Sequence, residues 1–353
     1  MEFFKLRVLE IRPETPNAVS VLFEVPESLA QNFSFTQGQY LTIQAEINGA
    51  NLRRAYSVCV APHQNELRVA VKKVEGGVFS SFINDELKVN DILEIMPAKG
   101  KFFTPLMPET PRNYVFFAAG SGITPIFSLI QAVLHTEPQS TALLFYGNKN
   151  FENIIFREQL EALKNKFISR FSINHVLSKD SGNNLFSGRI NTEKVLAYCQ
   201  KMFDPQGIDA YFLCGPEEMI FETKDVLVGL GVEPSKIHFE LFGKKKITET
   251  TKTQIEKSTE TAQIEVILDG SSYSFELKKE TESILDAALM LGSELPYACK
   301  AGVCCTCRAK ITEGTVEMRL NYALEAQEVA DGFVLTCQAF PTSAKVCVDF
   351  DAK

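Results

Sequence analysis

Apolar and polar residues alternate in short runs through the first hundred positions. Examples are Leu41-Thr-Ile-Gln-Ala and Leu67-Arg-Val-Ala-Val-Lys-Lys-Val, each bounded by turn residues. A period of two marks half-buried strands, and many short strands between turn signals predict an antiparallel β-barrel over residues 1–107. The pattern changes near Asn113. Val115-Phe-Phe-Ala-Ala, Ala142-Leu-Leu-Phe-Tyr and Ala210-Tyr-Phe-Leu-Cys are continuous apolar runs separated by helical stretches. That alternation predicts an α/β domain over 108–243, a parallel sheet with helices on both faces. Residues 244–262 are rich in Thr, Lys and Glu and nearly devoid of large apolar side chains, so they cannot bury a core and read as a flexible linker. Beyond it, 263–353 form a third module. Ile264-Glu-Val-Ile-Leu, the turn Asp269-Gly270 and Tyr273-Ser-Phe-Glu-Leu predict a hairpin, and Ser283 caps a helix over Ile-Leu-Asp-Ala-Ala-Leu-Met-Leu.

Composition narrows the class. The chain has 353 residues, no Trp but 27 Phe, and 45% hydrophobic residues, enough for several packed domains. Its first residues alternate like a strand, which predicts neither a signal peptide nor a membrane span and makes the cytoplasm the expected location. A formal net charge of -8 argues against a nucleic-acid partner. The charge is uneven, with 14 Asp and Glu against 8 Lys and Arg from Gln263 onward. An acidic module of this kind suits docking to a basic patch on a protein partner, and equally suits simple solubility.

The nine cysteines carry the sharpest signal. Cys299-Lys-Ala-Gly-Val-Cys304-Cys305-Thr-Cys307 is followed, 29 residues later, by Cys337. The spacing C-x4-C-x2-C plus one distant Cys matches the plant-type arrangement for a [2Fe-2S] cluster. Cys299, Cys304, Cys307 and Cys337 are the expected ligands, and Cys305 is a spare, expected to be a buried thiol. Structural zinc and disulfides are the alternatives, but zinc sites usually pair C-x2-C with a second short pair, which the sequence lacks. Nine thiols also suit a reducing compartment.

Weaker motifs precede it. Arg54-Ala-Tyr56-Ser57 ends a barrel strand, and Gly76-Gly77-Val78-Phe-Ser80 opens a helix. An Arg forks toward phosphate, a Tyr ring can lie on a flat cofactor, and a glycine turn entering a helix offers amides to a pyrophosphate. Gly120-Ser-Gly122-Ile-Thr124-Pro turns from a buried strand into a helix, where Thr124 can donate its hydroxyl. It lacks the third glycine of G-x-G-x-x-G, so a standard Rossmann dehydrogenase is not supported. Cys214-Gly215-Pro216 ends another buried strand, where ligands bind in open α/β sheets. Each motif alone is as easily an ordinary turn or core element.

Read together and in this order, the motifs resemble the ferredoxin-NADP reductase superfamily fused to a C-terminal plant-type ferredoxin domain of the α+β, β-grasp kind. Within it, Gly-Thr-Val-Glu-Met, Asn321-Tyr-Ala-Leu-Glu and Gly332-Phe-Val-Leu-Thr-Cys-Gln-Ala are similar to the reductase subunits of phenylacetyl-CoA epoxidases. The resemblance implies FAD on the barrel and a nicotinamide nucleotide on the α/β domain. Arg54, Tyr56, Ser57, Gly76, Gly77, Val78 and Ser80 would hold the flavin. Gly120, Gly122, Thr124, Gly215 and Pro216 would face the nucleotide, with Cys214 beside the nicotinamide. Glu240 and Phe242 match the family's Glu-containing terminus near the flavin, so Ser57, Cys214 and Glu240 are the expected catalytic set. Lys149, with Arg157 nearby in sequence, replaces the acidic residue that would bind a free ribose hydroxyl, which favours NADPH over NADH. The implied partner is a di-iron oxygenase component. Reductases of steroid or aromatic-ring hydroxylases and of desaturases look much alike and stay open as alternatives, as does a redox sensor.

Overall fold

The computed structural model describes residues 2–180, 182, 185–242, 260–279, 282–293 and 295–352. Two compact units divide the chain, one over Glu2–Phe242 and one in the C-terminal part.

The first unit opens with strands β1 (Phe4–Thr15), β2 (Ala18–Phe23), β3 (Tyr40–Ile47), β4 (Ala50–Ser57) and β5 (Leu67–Lys72), then helix α1 (Val78–Asp85) and β6 (Ile92–Lys99). The strands pair antiparallel in the order β4-β3-β6-β1-β2-β5. A bridge from Val58 to Val69 joins the two edges and closes the barrel, which leaves no exposed edge on that side. The alternating side chains fill it: Val8, Val21, Leu41, Ile43, Val69 and Ile95 are all fully buried.

A parallel sheet follows, built from β7 (Asn113–Ala119), β8 (Thr141–Asn148), β9 (Phe171–Leu177), β10 (Ala210–Gly215) and β11 (Ile237–Leu241) in the order β11-β10-β7-β8-β9. Helices α2 (Ile123–Thr136), α3 (Arg157–Lys166), α4 (Thr192–Lys201) and α5 (Glu217–Gly229) make its crossovers. The strands are apolar on both sides because both faces are covered. Phe116 stacks on Phe212 on one face, while Phe117, Phe145 and Tyr198 stack on the other. Barrel and sheet share one core: Cys59, Ala70 and Phe102 pack in the same cluster as Ile126, Ile130 and Phe212.

Most of the expected linker lies outside the described residues. Its last two positions do not behave as linker: Thr261 and Ala262 begin β12 (Thr261–Leu268), and Ala262 is buried opposite Leu277. A small apolar side chain next to a β-branched one is enough to start the strand. β12 pairs with β13 (Ser271–Lys278) through the Asp269-Gly270 turn, where both residues have positive φ as a two-residue hairpin requires. Next come α6 (Ile284–Met290), β14 (Arg308–Glu313), β15 (Val316–Met318), α7 (Ala326–Ala330), β16 (Phe333–Leu335), β17 (Ala339–Pro341) and β18 (Lys345–Asp349). Ser283 Oγ accepts from the Asp286 amide, so the predicted helix cap forms. The main sheet has the order β13-β12-β18-β14-β16, with α6 packed over its core.

Candidate functional site

At the end of β4, pleating sends Arg54 and Tyr56 to one side and Ser57 to the other. Arg54 is exposed and donates to the carbonyl of Arg53 at 2.7 Å. Burial pushes the Tyr56 phenol upward, with Arg54 opposing, so the ring stays neutral; it lies 6.0 Å from Phe79. Gly76 adopts φ +70, and a Cβ on Gly77 would stand 2.7 Å from Ser80 Oγ. The Ser80 hydroxyl is used within this turn, accepting from the Val74 amide and donating to the Gly77 carbonyl. Val78 opens α1 and is exposed.

Three strands bring Ser57, Cys214 and Glu240 together. β10 and β11 run in register so that Cys214 lies opposite Glu240. From the barrel, Ser57 Oγ donates to Glu240 Oε2 at 3.2 Å. Ser57 is 3% exposed and Cys214 fully buried. Burial, and after it the Glu240 charge, raise the Cys214 thiol well above its ordinary range and keep it protonated. The group is therefore an uncharged sulfur beside a carboxylate–hydroxyl pair. These positions are the C-terminal ends of parallel strands, where an open α/β sheet presents ligands.

A cavity of about 770 Å³ lies at the same end of the sheet, lined among others by Lys72, Gly120, Ser121, Gly122, Asn148, Lys149, Arg189, Gly215, Pro216 and Phe242. Its floor needs glycine: a Cβ on Gly122 would stand 2.1 Å from the Cys214 carbonyl oxygen, and one on Gly215 would stand 2.7 Å from the Met219 side chain. Thr124 does not reach the cavity. Its hydroxyl donates to the Ser121 carbonyl at 3.1 Å and closes the turn. Arg157 is exposed at the start of α3 and is not among the lining residues. Sequence reasoning missed Lys72, Asn148 and Arg189. Lys72 has its pKa lowered by burial and then by Lys149, two cations sharing one space. Asn148 is 8% exposed, and its amide nitrogen has no hydrogen-bond partner. A buried orphan donor beside a cationic cavity fits a polar anionic occupant such as a dinucleotide. Gly188-Arg189, just past the end of β9, is a signal that could have been found in the sequence.

The C-terminal unit gathers four cysteines. Cys304, Cys307 and Cys337 are buried and Cys299 is half-buried. The sulfurs of Cys299 and Cys304 are within hydrogen-bonding reach of each other, as are those of Cys307 and Cys337. Among the described residues, no three His, Cys, Asp or Glu side chains converge as a single ion needs. Two pairs of adjacent sulfurs suit two metal atoms with two thiolates each, which is the donor set of a [2Fe-2S] cluster. Backbone geometry supports the loop: Lys300 and Gly302 have positive φ, and a Cβ on Gly302 would stand 2.8 Å from the Leu320 carbonyl. The Ala301 amide donates to Cys299 Sγ at 3.3 Å, and Cys304 Sγ lies 3.4 Å from Thr306 Oγ1. Cys305 is half-buried rather than buried and points to the Ala323 carbonyl at 3.2 Å, because pleating of the loop turns it away from its neighbours.

Comparison with known proteins agrees with this division. Residues 5–103 match an oxidoreductase FAD-binding domain, 116–225 an oxidoreductase NAD-binding domain, and 266–342 a 2Fe-2S iron-sulfur cluster binding domain. The chain is 38% identical over 99% of its length to a subunit of the 1,2-phenylacetyl-CoA epoxidase of Escherichia coli, covering 98% of that protein. It is 28% identical to the ferredoxin reductase component of 3-ketosteroid-9-alpha-monooxygenase from Rhodococcus rhodochrous, covering 98% of this chain and 96% of that one. In fold it is similar to phthalate dioxygenase reductase, a modular structure for electron transfer from pyridine nucleotides to [2Fe-2S], with TM-score 0.59 and 22% identity over 99% of this chain and 98% of that one. The chain thus belongs to the ferredoxin-NADP reductase-like family that includes this phenylacetyl-CoA epoxidase component, and is an NAD(P)H-dependent oxidoreductase using FAD and a 2Fe-2S cluster.

Proposed function

We propose that this chain is the reductase component of a di-iron oxygenase acting on an aryl-CoA thioester, drawing on NADPH. The similarity over 99% of the chain to a component of the phenylacetyl-CoA epoxidase is the observation that carries this reading. Bound FAD converts a two-electron donor into single electrons, and a [2Fe-2S] centre carries them one at a time.

The chain's residues have separable roles. Arg54 and the amides entering α1 at Gly76, Gly77 and Val78 bind the flavin phosphates, Ser80 shapes that turn, and neutral Tyr56 provides a flat apolar wall. Gly120, Gly122, Gly215 and Pro216 let the main chain approach the nucleotide closely, with Thr124 bracing the first turn and Phe242 closing one side. Buried and protonated, Cys214 offers the nicotinamide an uncharged surface, and its neutrality avoids a repulsive negative charge there. Ser57 and Glu240 hold a proton between hydroxyl and carboxylate at 3.2 Å, a pair able to exchange it at the flavin edge. Lys149, Arg189 and Lys72 favour a 2′-phosphate over a bare ribose, with Arg157 at longer range. Cys299, Cys304, Cys307 and Cys337 ligate the cluster, and the acidic C-terminal unit suits a basic surface on the oxygenase.

An anaerobic titration of the purified protein with NADPH and, separately, NADH tests this. Visible absorbance should show flavin bleaching, and low-temperature EPR a rhombic signal from the reduced cluster, faster with NADPH. If neither nucleotide bleaches the flavin, the reductase reading fails; faster reduction by NADH overturns the donor assignment.

A further inference from the structure

The two residues flanking Cys337 tie opposite ends of the ligand loop to its strand. Thr336 holds the Cys307 end: its amide and hydroxyl both donate to the Cys307 carbonyl, at 3.1 and 3.0 Å. Gln338 holds the other end. Its side-chain nitrogen donates to the Lys300 carbonyl at 3.2 Å, and its Cγ would lie 3.2 Å from a Cβ on Gly302. Only 6% of the residue is exposed. Its backbone is fixed as well, with the amide donating to the Leu335 carbonyl at 2.8 Å and the carbonyl accepting from Arg319 at 3.0 Å.

The orientation of this amide follows from its partners. A carbonyl oxygen only accepts, so the NH2 end faces Lys300, and it carries a second proton. That proton has a partner: the Gln338 side chain, like the Gly302 amide, is within hydrogen-bonding reach of the Cys337 sulfur. We propose that Gln338 is a positioning residue that bridges the ligand loop to the Cys337 sulfur with its two N–H groups and thereby raises the cluster's reduction potential. This rests on the assignment of Cys299, Cys304, Cys307 and Cys337 as cluster ligands. Reduction adds one negative charge to the cluster, spread over its sulfurs. A donor aimed at one of them stabilises the reduced state more than the oxidised one, and hydrogen bonds to sulfur are among the determinants of these potentials. No aliphatic side chain can replace either N–H. Glutamate has the same length but presents acceptors to both a carbonyl and a thiolate.

Full-length wild-type protein, Gln338→Leu and Gln338→Glu are compared by redox titration monitored by EPR, with iron and sulfide content and far-UV circular dichroism on the same samples. Losing one hydrogen bond should shift the oxidised-to-reduced ratio at a fixed potential about fivefold toward oxidised in Gln338→Leu. The shift should be larger in Gln338→Glu, with altered g values in both. Cluster loss from both variants while their secondary structure stays intact also supports the bridge. Unchanged midpoints and spectra overturn the proposal, and so does unfolding of both variants, which makes Gln338 a plain core residue. Wild-type protein without iron or a rhombic signal instead defeats the ligand assignment, so the two failures are distinct.

Discussion

The two units solve the problem of holding a redox centre in opposite ways. In the C-terminal unit, three of the four thiols lie within the nine residues Cys299–Cys307, and the backbone of that loop supplies many of the contacts to sulfur. In the N-terminal unit, Ser57 and Glu240 meet across 183 positions of sequence, and Cys214 joins them only because β10 and β11 share register. A local loop fails one residue at a time. A site assembled from three strands depends on the packing of the barrel against the sheet, so backbone substitutions far from any cofactor should disturb it.

The sharpest way to separate the units is Cys337→Ser. It should abolish the visible bands and EPR signal of the cluster while the flavin spectrum and nucleotide-to-dye activity persist; simultaneous loss of flavin would mean that the units do not fold independently. Next in size is Gly122→Ala. The new Cβ would meet the Cys214 carbonyl at 2.1 Å, and backbone on both sides leaves little room to yield. A displacement near 1 Å at a reacting centre costs on the order of a hundredfold in rate. Stopped-flow reduction by NADPH should fall by about that factor with FAD still bound, and a near-normal rate would show that the cavity floor is compliant.

The same contrast explains what the sequence disclosed. The cluster loop was legible because its ligands are consecutive and their spacing is chemical. The barrel and the parallel sheet were legible because periods of two and continuous apolar runs report how many faces of a strand are buried. Polar side chains at turns were harder. Thr124 and Ser80 have hydroxyls suited to a phosphate, yet both are used to close their own turns. Arg157 follows Lys149 by eight positions, but a 3-10 turn at Phe151–Asn153 and left-handed Phe156 put it at the head of α3, away from the cavity-lining residues. Lys72 and Arg189 reach the cavity from the barrel and from beyond β9, a convergence that only tertiary structure creates.

That convergence makes a smaller prediction. Arg189→Ala and Lys149→Ala should each raise the KM for NADPH by about tenfold, the cost of one charge-assisted contact, and leave NADH nearly unaffected. Arg157→Ala should change either by less than about twofold, as expected for an exposed charge screened by solvent. Steady-state dye reduction with both nucleotides ranks the three variants. A larger effect at Arg157 than at Arg189 would reverse the reading of the cavity.

The smallest effect concerns acid. All four histidines lie in the N-terminal unit, and the C-terminal unit has none. His63 is lowered by burial, then by His135, against which it stacks at 3.7 Å, and by Lys166. His238 is lowered by burial beneath Phe212, and His175 by burial in spite of Glu161. Each folded-state value lies below the unfolded one, near 6.5. Above that pH the rings are neutral in both states and cost nothing. As pH falls through it, the unfolded chain binds protons that the folded chain refuses, so stability declines until the folded values are reached. Thermal release of flavin fluorescence should therefore move to lower temperature between about pH 7 and pH 5. His63→Gln, which removes the stacked partner without opening the core, should flatten that slope by its share. A wild-type curve that is flat across this range would show that the histidines gain compensating partners on protonation, and the N-terminal unit would then be no more acid-sensitive on their account than the histidine-free unit.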